Sequence, residues 1–305
     1  MIPDFPNFSP LKLEHQPEIE NITRQFPPYS DFNFVSLYCY DSDQKVKVSL
    51  LHGNLVIQFP DYLTNEMFYT FIGTNRVKET IGTLLKETQK LGTSQFLNLI
   101  PQETVRDLLP STQEFSITED IDNHDHLLDP QVLATYPGNK FGAKRNFVNR
   151  FTNNYLDNTK IVAIEKMDSS LQEQIINVFA SWEKSQSRDH KDTERELHAI
   201  QKMFTGIHKF NLHFVGVYIK DKLVAFSIQE EVGNGWAMLH FEKADVNFVG
   251  IFPFLKQQVA REMLKRGVKI INYEQDLGLP GLRKAKLTYS SGNYLKKWKV
   301  GPLPG

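Results

Sequence analysis

The sequence predicts an α/β (α+β) fold made of two similar domains, each with a mixed, mainly antiparallel sheet flanked by helices. At 305 residues, the chain is longer than a single hydrophobic core usually serves. The same order of elements also occurs twice. Hairpin turns at His52 and Asp221 lie 169 residues apart, and the third-strand residues Phe71 and Phe241 lie 170 apart. Because this offset is nearly constant, we predict a duplicated domain, with boundaries at 1–137 and 138–305.

The elements of the first half follow from hydrophobic periodicity and turn signals. A helix is predicted from near Pro10 to the Pro27-Pro28 pair. Polar and apolar residues alternate on both sides of His52-Gly53-Asn54, which indicates a β-hairpin. There follow a third strand (EMFYTFIG), an amphipathic helix (RVKETIGTLLKETQKLG), a buried strand (QFLNLI), a short helix with proline at its start (PQETVRDLL) and another strand (QEFSITED).

The second half repeats this order. It has a hairpin turning at Lys220-Asp221, a third strand (GWAMLHFEKAD), a helix (FPFLKQQVAREMLKRG), a buried strand (VKIINYE), a short helix (LPGLRKAKL) and a last strand (NYLKKWKV). Between the halves, a basic linking helix is predicted within 138–157. Two further helices follow it, the second opening with Thr193 and Glu196 at capping-box spacing.

The composition is that of a folded protein with little net charge. Lysine and arginine number 35 against 36 acidic residues, which excludes a generally basic nucleic-acid binder, so DNA is not an expected partner. The single cysteine, Cys39, cannot form an internal disulfide and fits a reducing compartment. We find neither an export signal nor a run of about 18 uncharged apolar residues, and therefore expect a cytoplasmic protein without a membrane span.

Two segments carry the most specific pattern: GNKFGAKRNFVNRF at 138–151 and INYEQDLGLPGLRKAKLTY at 271–289. Both resemble the family of proteins that share the C-terminal domain of phosphatidylglycerol lysyltransferases, and the resemblance extends over most of the chain. The order of elements resembles the N-acetyltransferase (GNAT) fold twice over. The resemblance implies a tandem GNAT-like fold and the activity of a Fem-like aminoacyl transferase, which uses aminoacyl-tRNA as its donor.

One family feature is missing. Acetyl-CoA-binding GNAT proteins carry a loop of the form Gln/Arg-x-x-Gly-x-Gly/Ala, where backbone amides and a helix N-terminus bind the pyrophosphate. The corresponding segments here, IGTNRVKETIG and ADVNFVGIFPFLK, each have one glycine near the helix start and no second glycine two residues on. This departure disfavours ordinary acetyl-CoA chemistry.

Three carboxylates are candidate proton acceptors. Glu242 lies where a GNAT sheet opens to admit substrate, and the alternative is an exposed glutamate that pairs with Lys243. Glu274 and Asp276, with Asn272 as a candidate binding residue, follow a buried strand at its carboxyl end, where α/β sheets usually bind ligands. The alternative for Asp276 is that it caps the short helix or braces the turn before it.

Basic residues are candidates for binding phosphate. Arg283 and Lys286 lie three residues apart on the short helix and therefore share a face, with Lys284 turned away. The sequence has no acidic residue after Gly278, which favours a role in binding an anion. The alternative is that these basic residues form a helix face exposed to solvent. Lys144 and Arg145 lie near a helix start, where the amides and the helix dipole also attract anions. A domain-joining helix with charges facing water is the alternative there.

The remaining polar residues suggest less. Glu194 is a candidate binding residue that could face a cleft between the domains. His124 and His126 lie among acids, which we interpret as a solvated loop because no second cluster completes a metal site. We therefore predict no metal.

Three functions fit these residues. The first is transfer of an aminoacyl group from aminoacyl-tRNA to an amine or a hydroxyl, on a small molecule or a lipid headgroup. It needs no cofactor, because the ester is already activated. Basic residues at 140–150 and 296–299 would then bind the tRNA. The second is acyl-CoA-dependent N-acyl transfer. The third is a non-catalytic module that binds an anionic ligand.

Overall fold

A computed structural model describes residues 1–41, 43–92, 94–109, 114–185, 190–290 and 292–303. The β-strands are Ser9–Pro10 (β1), Lys47–Leu51 (β2), Asn54–Pro60 (β3), Met67–Ile72 (β4), Leu97–Pro101 (β5), Ser116–Glu119 (β6), Asp125–Leu128 (β7), Thr159–Ile164 (β8), Leu212–Ile219 (β9), Lys222–Gly233 (β10), Trp236–Ala244 (β11), Ile270–Asn272 (β12), Tyr294–Leu295 (β13) and Lys297–Gly301 (β14). The α-helices are Gln16–Thr23 (α1), Phe34–Tyr40 (α2), Val77–Leu91 (α3), Gln102–Val105 (α4), Pro130–Thr135 (α5), Gly142–Tyr155 (α6), Ser169–Glu183 (α7), His190–Gly206 (α8), Ile251–Lys265 (α9) and Pro280–Leu287 (α10).

The chain divides into two compact units. The first comprises Met1–His126, Glu274–Thr288 and Gly292–Gly305, and the second comprises Leu127–Tyr273 and Tyr289–Ser291. This division differs from the predicted boundary at 137/138, because the end of the chain packs with the N-terminal half. A repeat in the sequence gives the order of elements but does not specify which strand each one pairs with.

The first unit contains two sheets. Strands β1 to β4 form an antiparallel sheet in sequence order, and the β2–β3 hairpin turns through His52 and Gly53, both at positive φ (55° and 79°). This conformation matches the type I′ turns that suit the twist of a hairpin. The second sheet has the order β5-β14-β6, so the C-terminal strand lies between two strands of the N-terminal half. Strand β13 pairs with Asp125 and His126 of β7.

The second unit is a sheet with helices on both faces. Its strand order is β7-β12-β11-β10-β9-β8, and only the β11–β12 pair is parallel among the described residues. Helix α9 packs on one face with α5 and α6 beside it, while α7 packs on the other face with α8 beside it. The β9–β10 hairpin turns through Lys220 and Asp221, again both at positive φ (48° and 63°). Both hairpin turns of the predicted repeat are therefore present in the structure.

The predicted fold class is confirmed: mainly antiparallel sheets are flanked by helices, and hairpin, third strand and long helix recur as two GNAT-like repeats require. The predicted first residues of two helices were wrong. The first helix begins at Gln16 rather than near Pro10, because Ser9 and Pro10 pair with β2. Helix α8 includes His190, before the predicted start at Thr193.

Candidate functional site

Glu242 lies on the part of β11 that extends beyond its parallel partner. Strand β12 pairs with β11 only at Trp236, Ala237 and Met238. From Leu239 onward β11 keeps its antiparallel partner β10, and the β12 side of the sheet opens. Glu242 therefore lies beyond the end of the β11–β12 pairing, and its role in the reaction stays a prediction.

The partner of Glu242 is Lys256 and not the predicted alternative, Lys243. Lys256 Nζ of α9 donates to Glu242 Oε2 at 2.9 Å, and only 6% of the Glu242 side chain and 1% of the Lys256 side chain are exposed. Successive residues of a strand point to opposite faces. Lys243 accordingly lies on the other face, where its Nζ donates to Glu196 at 2.6 Å and stacks on Trp182.

Lys144 of α6 lies close to this ion pair. Its Nζ is 3.8 Å from the centre of the Tyr289 ring, and Lys256 Nζ is 5.0 Å from the same ring and 4.0 Å from that of Tyr273. The pKa of Lys144 is lowered to about 8: burial is the largest cause, the nearby charge of Lys256 adds to it, and Glu242 partly offsets both effects. We call Lys144, Glu242, Lys256, Tyr273 and Tyr289 the Glu242 site.

Two atoms of the Glu242 site remain available for a ligand. Lys144 Nζ forms no hydrogen bond or ion pair with any residue that the structure describes. Lys256 Nζ donates to Glu242 Oε2, and no residue in the described ranges donates a hydrogen bond to Glu242 Oε1. The site therefore presents one ammonium group and one carboxylate oxygen, flanked by aromatic rings. An anion suits the first and a proton donor suits the second.

Sequence reasoning missed Lys256, Tyr273 and Tyr289. A signal for Lys256 was present, since it interrupts an apolar stripe of α9 that includes Phe252, Val259 and Met263. A lysine on a buried helix face requires a partner. Nothing comparable in the sequence marks the two tyrosines as neighbours.

Arg145 does not join Lys144. Its guanidinium donates to the carbonyl oxygens of Tyr136 and Gly138, at 2.5 and 2.6 Å, just after the end of α5. Lys140 Nζ likewise donates to the carbonyl oxygen of Ser290 at 2.8 Å. These contacts stabilise the local backbone. The phosphate-binding role of Arg145 stays a prediction, since Arg145 would have to exchange these hydrogen bonds for contacts with the phosphate.

Asp276 and Arg283, in the first unit, bind each other. Arg283 Nε and Nη2 donate to the two oxygens of Asp276 at 2.9 and 2.7 Å, and Nη2 also donates to Asp122. His126 Nε2 and the Gly278 amide complete the shell of Asp276 at 2.8 and 3.0 Å. Burial would raise the pKa of Asp276, but these hydrogen bonds lower it, Arg283 most of all. The geometry matches the alternative in which Asp276 braces the turn, although it does not cap α10, which follows Leu279.

The other predicted residues near this turn are partly or fully buried. Lys286 shares its helix face with Arg283 and donates from Nζ to the carbonyl oxygen of Gln275 at 2.8 Å, whereas Lys284 is exposed, as predicted. Glu274 is half-buried, with Oε1 3.4 Å from Ser36 Oγ. Asn272 is fully buried at the end of β12. Their binding or catalytic roles stay predictions.

Two interpretations concern residues elsewhere. Glu194 is exposed on α8, and its binding role stays a prediction. The interpretation of His124 and His126 as part of a solvated loop was wrong: both are buried, and His126 lies on β7. The sequence did not show that β13 pairs with this segment. The described residues contain no group of three His, Cys, Asp or Glu side chains that could hold a metal ion.

The start of α9 is closed by neighbouring backbone. Gly250 has a φ of 91°, and a Cβ atom on it would lie 2.1 Å from the carbonyl oxygen of Phe147 in α6. This glycine therefore allows two helices to approach each other. The structure assigns it a packing role.

A buried polar cluster in the first unit lies around Lys297 of β14. Its Nζ contacts Asp31 and lies 2.7 Å from Asp125 Oδ1 and 3.2 Å from both Ser30 Oγ and Gln275 Oε1. The side chains of Lys297, Asp31 and Asp125 are 0% exposed. Burial lowers the pKa of Lys297, but Asp125 and Asp31 outweigh it and the net change is upward. We call these five residues the Lys297 cluster.

Comparison with known proteins identifies the fold and the family. A family model described as "Phosphatidylglycerol lysyltransferase, C-terminal" matches residues 23–300. A conserved protein of unknown function from Bacteroides thetaiotaomicron is 24% identical, with a TM-score of 0.81 over 99% of this chain and 100% of that chain. No curated protein is significantly similar in sequence.

Two solved structures carry a functional description of their own. The C-terminal domain of a putative lysylphosphatidylglycerol synthetase from Agrobacterium fabrum is 11% identical, with a TM-score of 0.61 over 94% of this chain and 90% of that chain. L-PGS from Bacillus licheniformis is 12% identical, with a TM-score of 0.59 over 99% of this chain and 94% of that chain. None of the helices described here has the length and apolar character needed to cross a membrane.

Proposed function

The chain belongs to the phosphatidylglycerol lysyltransferase C-terminal-domain family, and on that premise we propose that it transfers an aminoacyl group from aminoacyl-tRNA to an amine or a hydroxyl. The acceptor is a small molecule or a lipid headgroup. The coarser assignment, an acyl- or aminoacyl-transferase-like fold, rests on the family match and the structural neighbours.

The observation that supports the proposal is the Glu242 site. A transferase of this kind needs a group that accepts the proton of the nucleophile and positive charge that stabilises the oxyanion and binds phosphate. Glu242 Oε1 is available for the first task, and Lys144 Nζ for the binding of phosphate. Both residues belong to the Glu242 site, in which Lys256 Nζ lies 2.9 Å from Glu242 Oε2 and Lys144 Nζ lies 3.8 Å from the centre of the Tyr289 ring.

We assign the following roles. The nucleophile attacks the ester carbonyl, and Glu242 takes up its proton. Lys256 uses one of its three N–H donors to orient Glu242, which leaves the others to stabilise the oxyanion. When the intermediate collapses, the bond to the ribose oxygen breaks and Glu242 returns the proton to that oxygen. No cofactor is required, because the ester supplies the activation.

The other basic residues are proposed to bind the tRNA. Arg283, the exposed Lys296 and the half-exposed Lys299 belong to this group, although Arg283 also holds the turn at 274–278. Lys286 is buried against the same turn and would have to exchange its contact with Gln275 to join them. We place the reaction in the cytoplasm, where charged tRNA is available.

An acyl-CoA donor is the second candidate, and the closed start of α9 disfavours it. The segment before α9 lacks the second glycine of a pyrophosphate-binding loop, and the Phe147 carbonyl oxygen lies 2.1 Å from where a Cβ of Gly250 would be, which narrows the approach to the helix start. A non-catalytic module that binds an anion would use Lys144 in the same way but would show no turnover.

The proposal is tested by incubating the purified protein with tRNA charged with radiolabelled amino acids and with a mixture of amine and hydroxyl acceptors. We expect transfer of label and donor binding that weakens steeply as salt increases. Displacement of the charged tRNA by acyl-CoA would favour the second candidate. Tight tRNA-independent anion binding without turnover would favour the third.

Replacing Lys144 by methionine is expected to weaken binding of the charged tRNA by about tenfold or more at pH 7, as loss of a charge-assisted contact requires. Folding is expected to become more stable, because a partly buried ammonium group without an anion partner is removed. Filter binding and thermal unfolding measure the two effects. Lys160→Met, on the exposed surface of β8, is the control and should change neither.

The same residue predicts a pH dependence. The folded-state pKa of Lys144 is about 8, against 10.5 for an ordinary lysine, so its charge is lost as pH rises through 8. Donor binding should therefore weaken above pH 8 in the wild type and not in Lys144→Arg. Between the two values the unfolded chain binds more protons, so the contribution of Lys144 to stability rises with pH. A wild-type affinity that stays flat to pH 9.5 would contradict the assignment.

A further inference from the structure

Gln229 of β10 lies on the same face of the sheet as Glu242. In an antiparallel pair, residues directly opposite each other share a face. Gln229 lies opposite Leu239, and Ser227 lies opposite Glu242. The register shifts between these pairs, as at a β-bulge, which places Leu239 and Glu242 on one face although they are three residues apart. Leu239 belongs to the core under α9. Ser227 and Gln229 therefore lie beneath α9 with the Glu242 site, although nothing in the sequence marked them.

The side chain of Gln229 points along the strand toward Glu242. Its Nε2 donates to Ser227 Oγ at 2.5 Å, so the amide lies near the position directly across from Glu242. Both Gln229 and Ser227 are 0% exposed.

One atom of this buried amide has no partner. Gln229 Oε1 accepts no hydrogen bond from any residue that the structure describes. A buried acceptor without a donor destabilises the folded state, and such groups are rare in native proteins. The burial also means that bulk solvent does not supply the missing donor. The unsatisfied atom is thus explained if a ligand brings the hydrogen bond.

We propose that Gln229 Oε1 binds the nucleophile of the acceptor together with Glu242 Oε1, and that the acceptor is a primary amine. This inference rests on the proposed aminoacyl transfer and specifies its substrate class. A neutral primary amine has two N–H donors and can donate to both oxygens at once. A hydroxyl has one O–H donor and can satisfy only one of them, which leaves the other buried acceptor unpaired.

The proposed reaction is the aminolysis of the ester, which forms an amide. The amine nitrogen attacks the ester carbonyl carbon while one N–H donates to Gln229 and the other to Glu242. A C–N bond forms, the bond between the carbonyl carbon and the ribose oxygen breaks, and the proton taken by Glu242 passes to the ribose oxygen. Gln229 takes no proton and serves to position the nitrogen.

The test compares two isosteric probes, 2-aminoethyl phosphate and 2-hydroxyethyl phosphate, by calorimetric titration against the full chain. The phosphate of each can contact Lys144, and only the terminal group differs. We expect the amine to bind at least about tenfold more tightly than the alcohol. Gln229→Met, which keeps the size but removes the acceptor, should reduce this ratio, while the attraction between the ammonium form of the probe and Glu242 retains part of it. Gln229→Glu, which keeps an acceptor at the same place, should retain the preference.

Several outcomes would overturn the inference. They are equal affinity for the probes, preference for the alcohol, binding of neither, or an amine preference that Gln229→Met leaves intact. Thermal unfolding of both variants checks that they fold, and Gln229→Met should be at least as stable as the wild type because an unpaired acceptor is removed.

Transfer assays with charged tRNA separate this inference from the proposed function. Loss of all transfer with the amine preference retained would remove the proposed function alone. Transfer to 2-hydroxyethyl phosphate or to phosphatidylglycerol vesicles, with none to the amine, would overturn the inference and keep aminoacyl transfer. Vesicles containing phosphatidylethanolamine distinguish a lipid amine from a soluble one, because both present the same group.

Discussion

Glu242→Gln is expected to lower the rate constant of aminoacyl transfer by about 100- to 10,000-fold, the range that a general base contributes. Glutamine keeps the shape of the side chain and an oxygen for Lys256, but it cannot take up a proton. Because the lost interaction belongs to the transition state, donor binding should change little. Single-turnover rates and filter binding with charged tRNA measure these two quantities separately.

A matched control exists on the opposite face of the same sheet. Glu196 also pairs with a buried lysine, at 2.6 Å from Lys243, but lies away from Lys144 and the tyrosines. Glu196→Gln should leave turnover unchanged. If Glu242→Gln retained full turnover, the carboxylate would have no part in the reaction. If it failed to fold, the double variant Glu242→Gln/Lys256→Met, which removes both partners of the buried pair, would show whether the unpaired Lys256 caused the loss of stability.

Lys297→Met is expected to destabilise the first unit by about 3 to 5 kcal/mol, because it leaves buried carboxylates without their cation. Asp31 and Asp125 both contact Lys297 Nζ and are 0% exposed. Burial already raises the pKa of Asp31, and Asp125 adds to this effect, while Lys297 opposes both. Denaturant unfolding monitored by fluorescence measures the change.

The pH dependence of this variant has a definite sign. Without Lys297, the folded state binds more protons at Asp31 than the unfolded state, so its stability falls as pH rises. The destabilisation should therefore be larger at pH 8 than at pH 5. Lys299→Met is the control, since Lys299 is 44% exposed and lies 3.3 Å from Asp120. An equal, small effect of both substitutions would show that the buried pairs contribute no more than surface ones.

The candidate site could be predicted only in part. The choice of Glu242 followed from the resemblance to the GNAT fold, in which the sheet opens beyond the third strand. The nearness of Lys144 did not follow, since Lys144 lies 98 residues before Glu242 in the sequence. For Asp276 and Arg283 the sequence placed both residues on adjacent elements, but it did not show that they would occupy each other's hydrogen-bonding groups.

The sequence by itself determined the local elements: the two type I′ hairpins, the amphipathic helices and the repeated order of strands and helices. These depend on periodicity and turn chemistry, which act over a few residues. Only the tertiary structure decided that β14 enters the sheet between β5 and β6, that Glu242 pairs with Lys256 rather than Lys243, and that Gln229 is left with an unpaired oxygen. Strand partners and buried polar pairs depend on contacts between distant segments, whose free energies no local pattern records.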